Sequence, residues 1–245
     1  MLTFLFLALC SAALGIEPDS ALRIGTDPSS SPPVNVVLFG DSLINRPWNE
    51  HNLSAKIFAL LSPTPFSVTL FNLGNNGEEV AATLARIPAM LQAYKPWAVL
   101  WFWDSDCSNI EEGLLSPAQV AALRANYSLH VLEAASLIAA SGARLAVAGP
   151  ELLGEGPIGL QPRFENKTKE YMEAYVNLTR DAAVRVPRVS YINMRAAFLQ
   201  AIPWWWELWG GWVTIEGEHP NERGAGIEAE LFASTLNVWL AEGAA

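Results

Sequence analysis

The chain has 245 residues, of which 51% are hydrophobic and 16% charged, and it carries a formal charge of −10. That length and apolar content supply one large core and fall short of two ordinary domains. The acidic balance argues against nucleic acid and anionic membrane surfaces, which recruit clustered Lys and Arg, and it suits a neutral substrate.

An apolar run over residues 2–14 closes on Ala13-Leu14-Gly15, small residues at the spacing a signal peptidase prefers, so residues 1–15 read as a signal peptide. The run is too short to cross a bilayer and no later stretch is longer, so the mature chain is expected to lack an integral membrane segment and to be secreted. Sequons at Asn52, Asn126, Asn166 and Asn177 point the same way, to an extracellular glycoprotein of a eukaryotic secretory route. Cys10 leaves with the signal and Cys107 is then alone, so no intrachain disulfide is expected.

Residues 16–33 are polar and proline-rich and read as a flexible lead into a single domain over residues 34–245. Val36-Val37-Leu38-Phe39 is a strand buried on both faces, ended abruptly by Gly40-Asp41-Ser42. Ligands in open α/β sheets sit at that carboxyl end, so the Ser42 hydroxyl is a candidate nucleophile. A helix follows over residues 50–61, with His51 at its start as a solvated or capping residue. The second strand spans residues 67–73 and ends in the glycine turn of residues 74–77, after which residues 79–91 return as a helix.

The third strand, residues 98–103, stops at Asp104-Ser105-Asp106-Cys107, two carboxylates at a strand end beside a small packed cysteine. Ser116-Pro117-Ala118-Gln119 is a capping box with proline at the first helical position. It opens a long helix with an apolar stripe through Val120, Leu123, Tyr127, Val131, Ala134 and Ile138, ending at Gly142. His130 lies at the edge of that stripe and reads as structural. Strands over residues 144–149 and 189–193 and helices over 166–185, 194–201 and 224–240 complete an alternating order, which implies a parallel sheet covered on both faces.

Of three histidines, His219 stands in a polar loop, Glu216-Gly217-Glu218-His219-Pro220, with a carboxylate three residues ahead of the imidazole. A base oriented by a carboxylate is what a serine nucleophile needs, and Glu216 is preferred to Glu218 for that place. Asp41 reads as a residue that shapes the serine turn.

The Gly40-Asp41-Ser42 strand end, the Asn72-Leu73-Gly74-Asn75-Asn76-Gly77 segment, the Asp104-Ser105-Asp106 strand end and the His219 loop stand in the order found in the SGNH or GDSL-type hydrolases, which the chain resembles from about residue 36 to 240. The resemblance implies a three-layer α/β/α sandwich around a flavodoxin-like five-stranded parallel sheet. It also implies a carboxylic ester hydrolase that uses neither cofactor nor metal. Ser42 would attack, His219 would be the base, and Glu216 would stand where the family has aspartate. The oxyanion hole would consist of Ser42, Gly77 and Asp106, the last in place of the family's asparagine, with Asp104 in place of its glycine. An ionised carboxylate has no proton to give, so Asp106 is either protonated, as a buried carboxyl near other acids can be, or turned away with Asn75 or Asn76 supplying the amide, or the enzyme is weak; the protonated form is preferred, with Asp104 as the like charge that disfavours ionisation. The substrate would be a small-molecule or carbohydrate ester.

Two other classes fit parts of the pattern. Asp104-Ser105-Asp106 after an apolar strand suits a metal-dependent phosphohydrolase, with Glu216, Glu218 and His219 as further ligands. The run Trp204-Trp205-Trp206 through Trp209 and Trp212 suits a non-catalytic carbohydrate-binding module on the same fold, because indole faces stack on sugar rings. In the esterase reading Trp209 and Trp212 form a wall of the substrate cleft.

Overall fold

The computed structural model describes residues 19–24, 33–45, 52–62, 66–109, 112–151, 169–202, 213–214 and 218–244. In chain order the elements are β1 (Asp19–Ile24), β2 (Pro33–Gly40), α1 (Leu53–Ala59), β3 (Ser67–Gly74), α2 (Val80–Tyr94), β4 (Ala98–Phe102), α3 (Ser105–Asn109), α4 (Pro117–Ala140), β5 (Arg144–Ala148), α5 (Lys169–Ala183), β6 (Val189–Ile192), α6 (Met194–Ala201) and α7 (Glu222–Ala244).

The sheet order is β1-β3-β2-β4-β5-β6. The last five strands are mutually parallel, in the flavodoxin-like order expected from the resemblance. β1 is an addition: it runs antiparallel to β3, with Leu22 opposite Leu70 and Ile24 opposite Val68. These residues were expected to belong to a flexible lead. Their polar, proline-rich neighbours conceal a short strand that supplies partners for the row of backbone groups at the outer edge of β3.

Period-two alternation sorts the strand side chains into two cores. Val37 and Phe39 of β2, Val99 and Trp101 of β4, and Leu145 and Val147 of β5 face helices α2, α4 and α5, meeting Ile87, Val131 and Tyr175. Val36, Leu38, Leu100, Phe102 and Ala146 face the other way, onto Ile57 of α1, Phe198 of α6, and Phe232 and Leu236 of α7. Each large side chain buried in this way contributes about 1.5–3 kcal/mol, which explains why β2 and β4, apolar from Val36 to Phe39 and from Ala98 to Phe102, lie in the middle of the sheet.

The capping box opens α4 as expected: the Ser116 hydroxyl accepts from Gln119 N–H, and the Gln119 side chain accepts from Ser116 N–H. Of its apolar stripe, Tyr127, Val131, Ala134 and Ile138 are buried, whereas Val120 and Leu123 are only partly covered. β4 ends at Phe102, one residue before the expected end of the strand, and the chain turns into α3 from Ser105.

Candidate active site

The carboxyl ends of β3, β2 and β4 lie side by side, and the chain reverses its direction of travel across the sheet between β2 and β4. Gly40 ends β2 against β4 with φ +148°, and a Cβ there would come within 1.7 Å of Phe102 O, so only glycine lets the two strand ends approach this closely.

Asp41 closes the crevice between them. Its Oδ1 accepts from Leu43 N–H at 2.9 Å, within its own turn. Its Oδ2 accepts from Asp104 N–H and Ser105 N–H, each at 2.8 Å, and from the Ser105 hydroxyl at 2.7 Å. The sequence reading of Asp41 as a turn residue holds, but its reach to β4 and the part played by Ser105 emerge only in three dimensions. No local pattern reports a bond that spans 63 residues.

Ser42 follows in the turn and is 6% exposed. His219 Nε2 lies 3.0 Å from its Oγ, across 177 residues of sequence. The histidine loop is closed at its base by a bridge between Thr214 and Pro220 and by Asn221 N–H donating to Val213 O at 2.9 Å. The Asn221 side chain then accepts from Arg223 N–H and Gly224 N–H at the start of α7, so the imidazole stands just ahead of a capped helix. Glu218 is buried beside it. Glu216, Trp209 and Trp212 lie outside the described residues.

The β3–α2 loop is tied to the serine turn by Asn75 N–H, which donates to Gly40 O at 2.8 Å, and by the Asn72 amide, which donates to Ile44 O at 2.9 Å. Gly77 sits at the exposed crest of this loop with φ +68°, in the left-handed region that favours glycine. Among the described residues neither Gly77 N–H nor Ser42 N–H has an acceptor within the chain. Two unsatisfied donors at the mouth of a serine turn suit an incoming oxyanion.

Asp106 is 8% exposed, and its Oδ2 accepts from Val80 N–H, the first residue of α2, at 2.8 Å. Burial pushes its carboxyl up to about 7; the Val80 bond opposes that rise, and the charges of Glu79 and Asp41 add to it. The expected direction is found, with desolvation as its main cause, and the like charges are Glu79 and Asp41 rather than Asp104. Asp104 itself is fully buried. Among the described residues no group of three or more His, Cys, Asp or Glu side chains is arranged to hold a metal ion.

Of the sequons, Asn52, Asn126 and Asn177 are exposed, Asn52 also serving as the cap of α1 through Ala55 N–H; Asn166 lies outside the described residues. So do His51 and residues 1–15. Cys107 is fully buried, as its reading as a packed residue requires. Among the described residues no helix is long and apolar enough to cross a membrane.

In fold the chain is similar to the acetyl xylan esterase AlAXEase, with a TM-score of 0.66 and 17% identity over 83% of this chain and 100% of that one. It is similar also to an alpha/beta hydrolase from the metagenome of Lake Arreo, Spain, with a TM-score of 0.60 and 19% identity over 84% and 97%. The lipase/acylhydrolase from Enterococcus faecalis matches with a TM-score of 0.59 and 15% identity over 84% and 96%. The chain thus has the α/β/α fold of the SGNH hydrolases. By sequence, no protein-family model and no curated protein matches it.

The raised Asp106 carboxyl has a consequence for stability. A folded-state value of about 7 against 3.8 means that the folded protein holds this proton longer than the unfolded chain, so stability is lost as pH rises from about 4 through 7. Asp106→Asn keeps an acceptor for Val80 N–H and removes the titration. Urea unfolding should therefore show the variant gaining on the wild type between pH 5 and pH 8, by roughly 1–4 kcal/mol. A stability difference independent of pH would disprove the assignment.

Proposed function

We propose that the chain is a secreted serine hydrolase that cleaves carboxylic esters through an acyl-enzyme. The observation that carries this reading is the 3.0 Å approach of His219 Nε2 to Ser42 Oγ at the carboxyl end of a parallel sheet. With Nε2 unprotonated, the imidazole accepts the Ser42 proton as Oγ attacks the ester carbonyl. The tetrahedral intermediate then collapses, the ester C–O bond breaks, and the imidazolium returns its proton to the departing alcohol. Water, activated by the same imidazole, adds to the acyl-enzyme and releases the carboxylic acid and Ser42.

Glu216 is placed by its spacing to hold the imidazole, a role that glutamate also fills in other hydrolase folds. Ser42 N–H and Gly77 N–H are the backbone donors assigned to the oxyanion. Asp106 supplies a third donor when protonated: with Oδ2 on Val80 N–H, its other oxygen carries the proton. A buried acid kept neutral so that it can donate is the device known from ketosteroid isomerase. The acetyl xylan esterases among the structural neighbours favour an acetyl or short acyl group on a carbohydrate, and Trp209 and Trp212 suit the wall that would receive it.

A panel of acetyl, butyryl and longer 4-nitrophenyl esters together with acetylated xylan tests the reading. Ser42→Ala and His219→Ala should each lower kcat by at least about a thousandfold with the fold retained. Full activity in Ser42→Ala would end it, whereas loss in Glu218→Gln with none in Glu216→Gln would transfer the orienting role to Glu218.

Above about pH 7 the ionising Asp106 repels the developing oxyanion, so wild-type kcat should fall on the alkaline side. An asparagine accepts from Val80 N–H with its oxygen and donates with its amide, so Asp106→Asn should keep kcat at neutral pH and flatten that alkaline limb. A large loss of kcat in this variant would show that the carboxylate itself is required.

Protein secreted from a eukaryotic host should lose mass on enzymatic removal of N-linked glycans, with Asn52, Asn126 and Asn177 as the exposed acceptors. An unchanged mass would remove the support that the sequons lend to secretion.

A further inference from the structure

The oxyanion loop is held unevenly. Its leading half is bonded to the serine turn through Asn72 and Asn75, whereas Gly77 at the crest is held only by the turn around it, closed by Glu78 N–H donating to Asn75 O at 3.1 Å, and an added Cβ would meet open space. The direction of Gly77 N–H is then set by the peptide units on either side, and the trailing one belongs to Glu78. Glu78 is buried, and its carboxylate is paired with Arg86, two turns along α2.

Arg86 does more than neutralise Glu78. Its Nη1 bonds Glu78 Oε2, while its Nη2 donates at 2.6 Å to O of Leu73, the last residue but one of β3 before the loop. Its guanidinium lies over the Phe39 ring, 4.7 Å from the centroid, on the strand that carries Ser42. One rigid, planar group therefore joins the entry of the oxyanion loop, its exit, and the nucleophile's strand. A planar fork can bond two acceptors along its edge while its face stacks on a ring; an ammonium has three donors but no plane to stack.

We infer that Arg86 is a positioning residue that, through Glu78, aims Gly77 N–H at the oxyanion. The inference rests on the serine-hydrolase reading and adds to it a residue that touches neither substrate nor reacting atoms. It also accounts for a buried ion pair at this place. Burial lowers the Arg86 pKa and raises that of Glu78 to about 7, so the pair works against desolvation. Such pairs rarely outdo apolar packing in stability, and their best-attested use is to specify one geometry.

Kinetics with 4-nitrophenyl acetate and inhibition by phenylboronic acid, which forms a tetrahedral adduct on the serine, test the inference. Arg86→Met should lower kcat by about thirtyfold with KM within about twofold, short of the full loss of a donor because the N–H is misdirected rather than removed. Its affinity for the boronic acid should weaken by a similar factor. Arg86→Lys should fall between, since an ammonium keeps the charge opposite Glu78 but lacks the rigid plane that stacks on Phe39 while its edge bonds Glu78 and Leu73 O. Should Arg86→Met not fold, Glu78→Gln keeps a hydrogen-bond acceptor for Arg86 and should lower kcat and boronic acid affinity together, by about fivefold.

A folded Arg86→Met with kcat unchanged overturns the inference. So does a loss of kcat that leaves boronic acid affinity intact, or a Glu78→Gln variant that matches the wild type in both. Ser42→Ala is measured alongside: activity that survives in it overturns the hydrolase reading and this inference with it. Activity that vanishes in Ser42→Ala and persists in Arg86→Met overturns the positioning role alone.

Discussion

The carboxylate of Asp41 holds the centre of this molecule together. β2 and β4 are parallel neighbours whose ladder ends at Gly40 and Phe102, so nothing in it fixes how the two chain ends sit beyond that pair. A single anion that accepts three hydrogen bonds from residues 104 and 105, and a fourth from its own turn, makes the two ends one unit. Hydrogen bonds to a charged acceptor in a dry site are among the stronger ones a protein makes. Ser42 on one side of Asp41 and Asp106 on the other inherit their positions from it.

Around that anchor the site is acidic and buried, an arrangement with electrostatic consequences. Glu78 and Asp106 are both carried to about 7 by desolvation, on opposite flanks of the loop that bears Gly77. Among the described residues Glu78 is paired with a cation, Arg86. Asp106 meets instead a backbone N–H at the start of α2, where the partial positive charge of the helix end favours an anion and tempers the cost of burial. The same loop is therefore braced by an ion pair on one side and by a titrating acid on the other.

Much of the fold was legible because the signals are local. Residues 98–102 are apolar without interruption, and such a run has no stable place except a strand covered on both faces. The capping box at Ser116 and Gln119 closes within four residues, so its hydrogen bonds are the same in any tertiary setting. β1 escaped notice because its identity as a strand depends on the open edge of β3, which does not exist until the sheet forms.

The site divides along the same line. The sequence by itself determined the candidates: a hydroxyl at the carboxyl end of an apolar strand, a histidine in a polar loop near the last helix, and a glycine turn after the second strand. Each follows from residue type and near-neighbour pattern. Tertiary structure alone decided their relations, because the distances that matter join residues far apart in the chain: 177 positions between Ser42 and His219, 63 between Asp41 and Asp104, 26 between Val80 and Asp106. It also decided the environment. That Asp106 is pushed up by burial rather than by Asp104, and that Arg86 on the inner face of a helix reaches three elements at once, are consequences of packing density and low local dielectric, properties that no segment possesses until the others surround it.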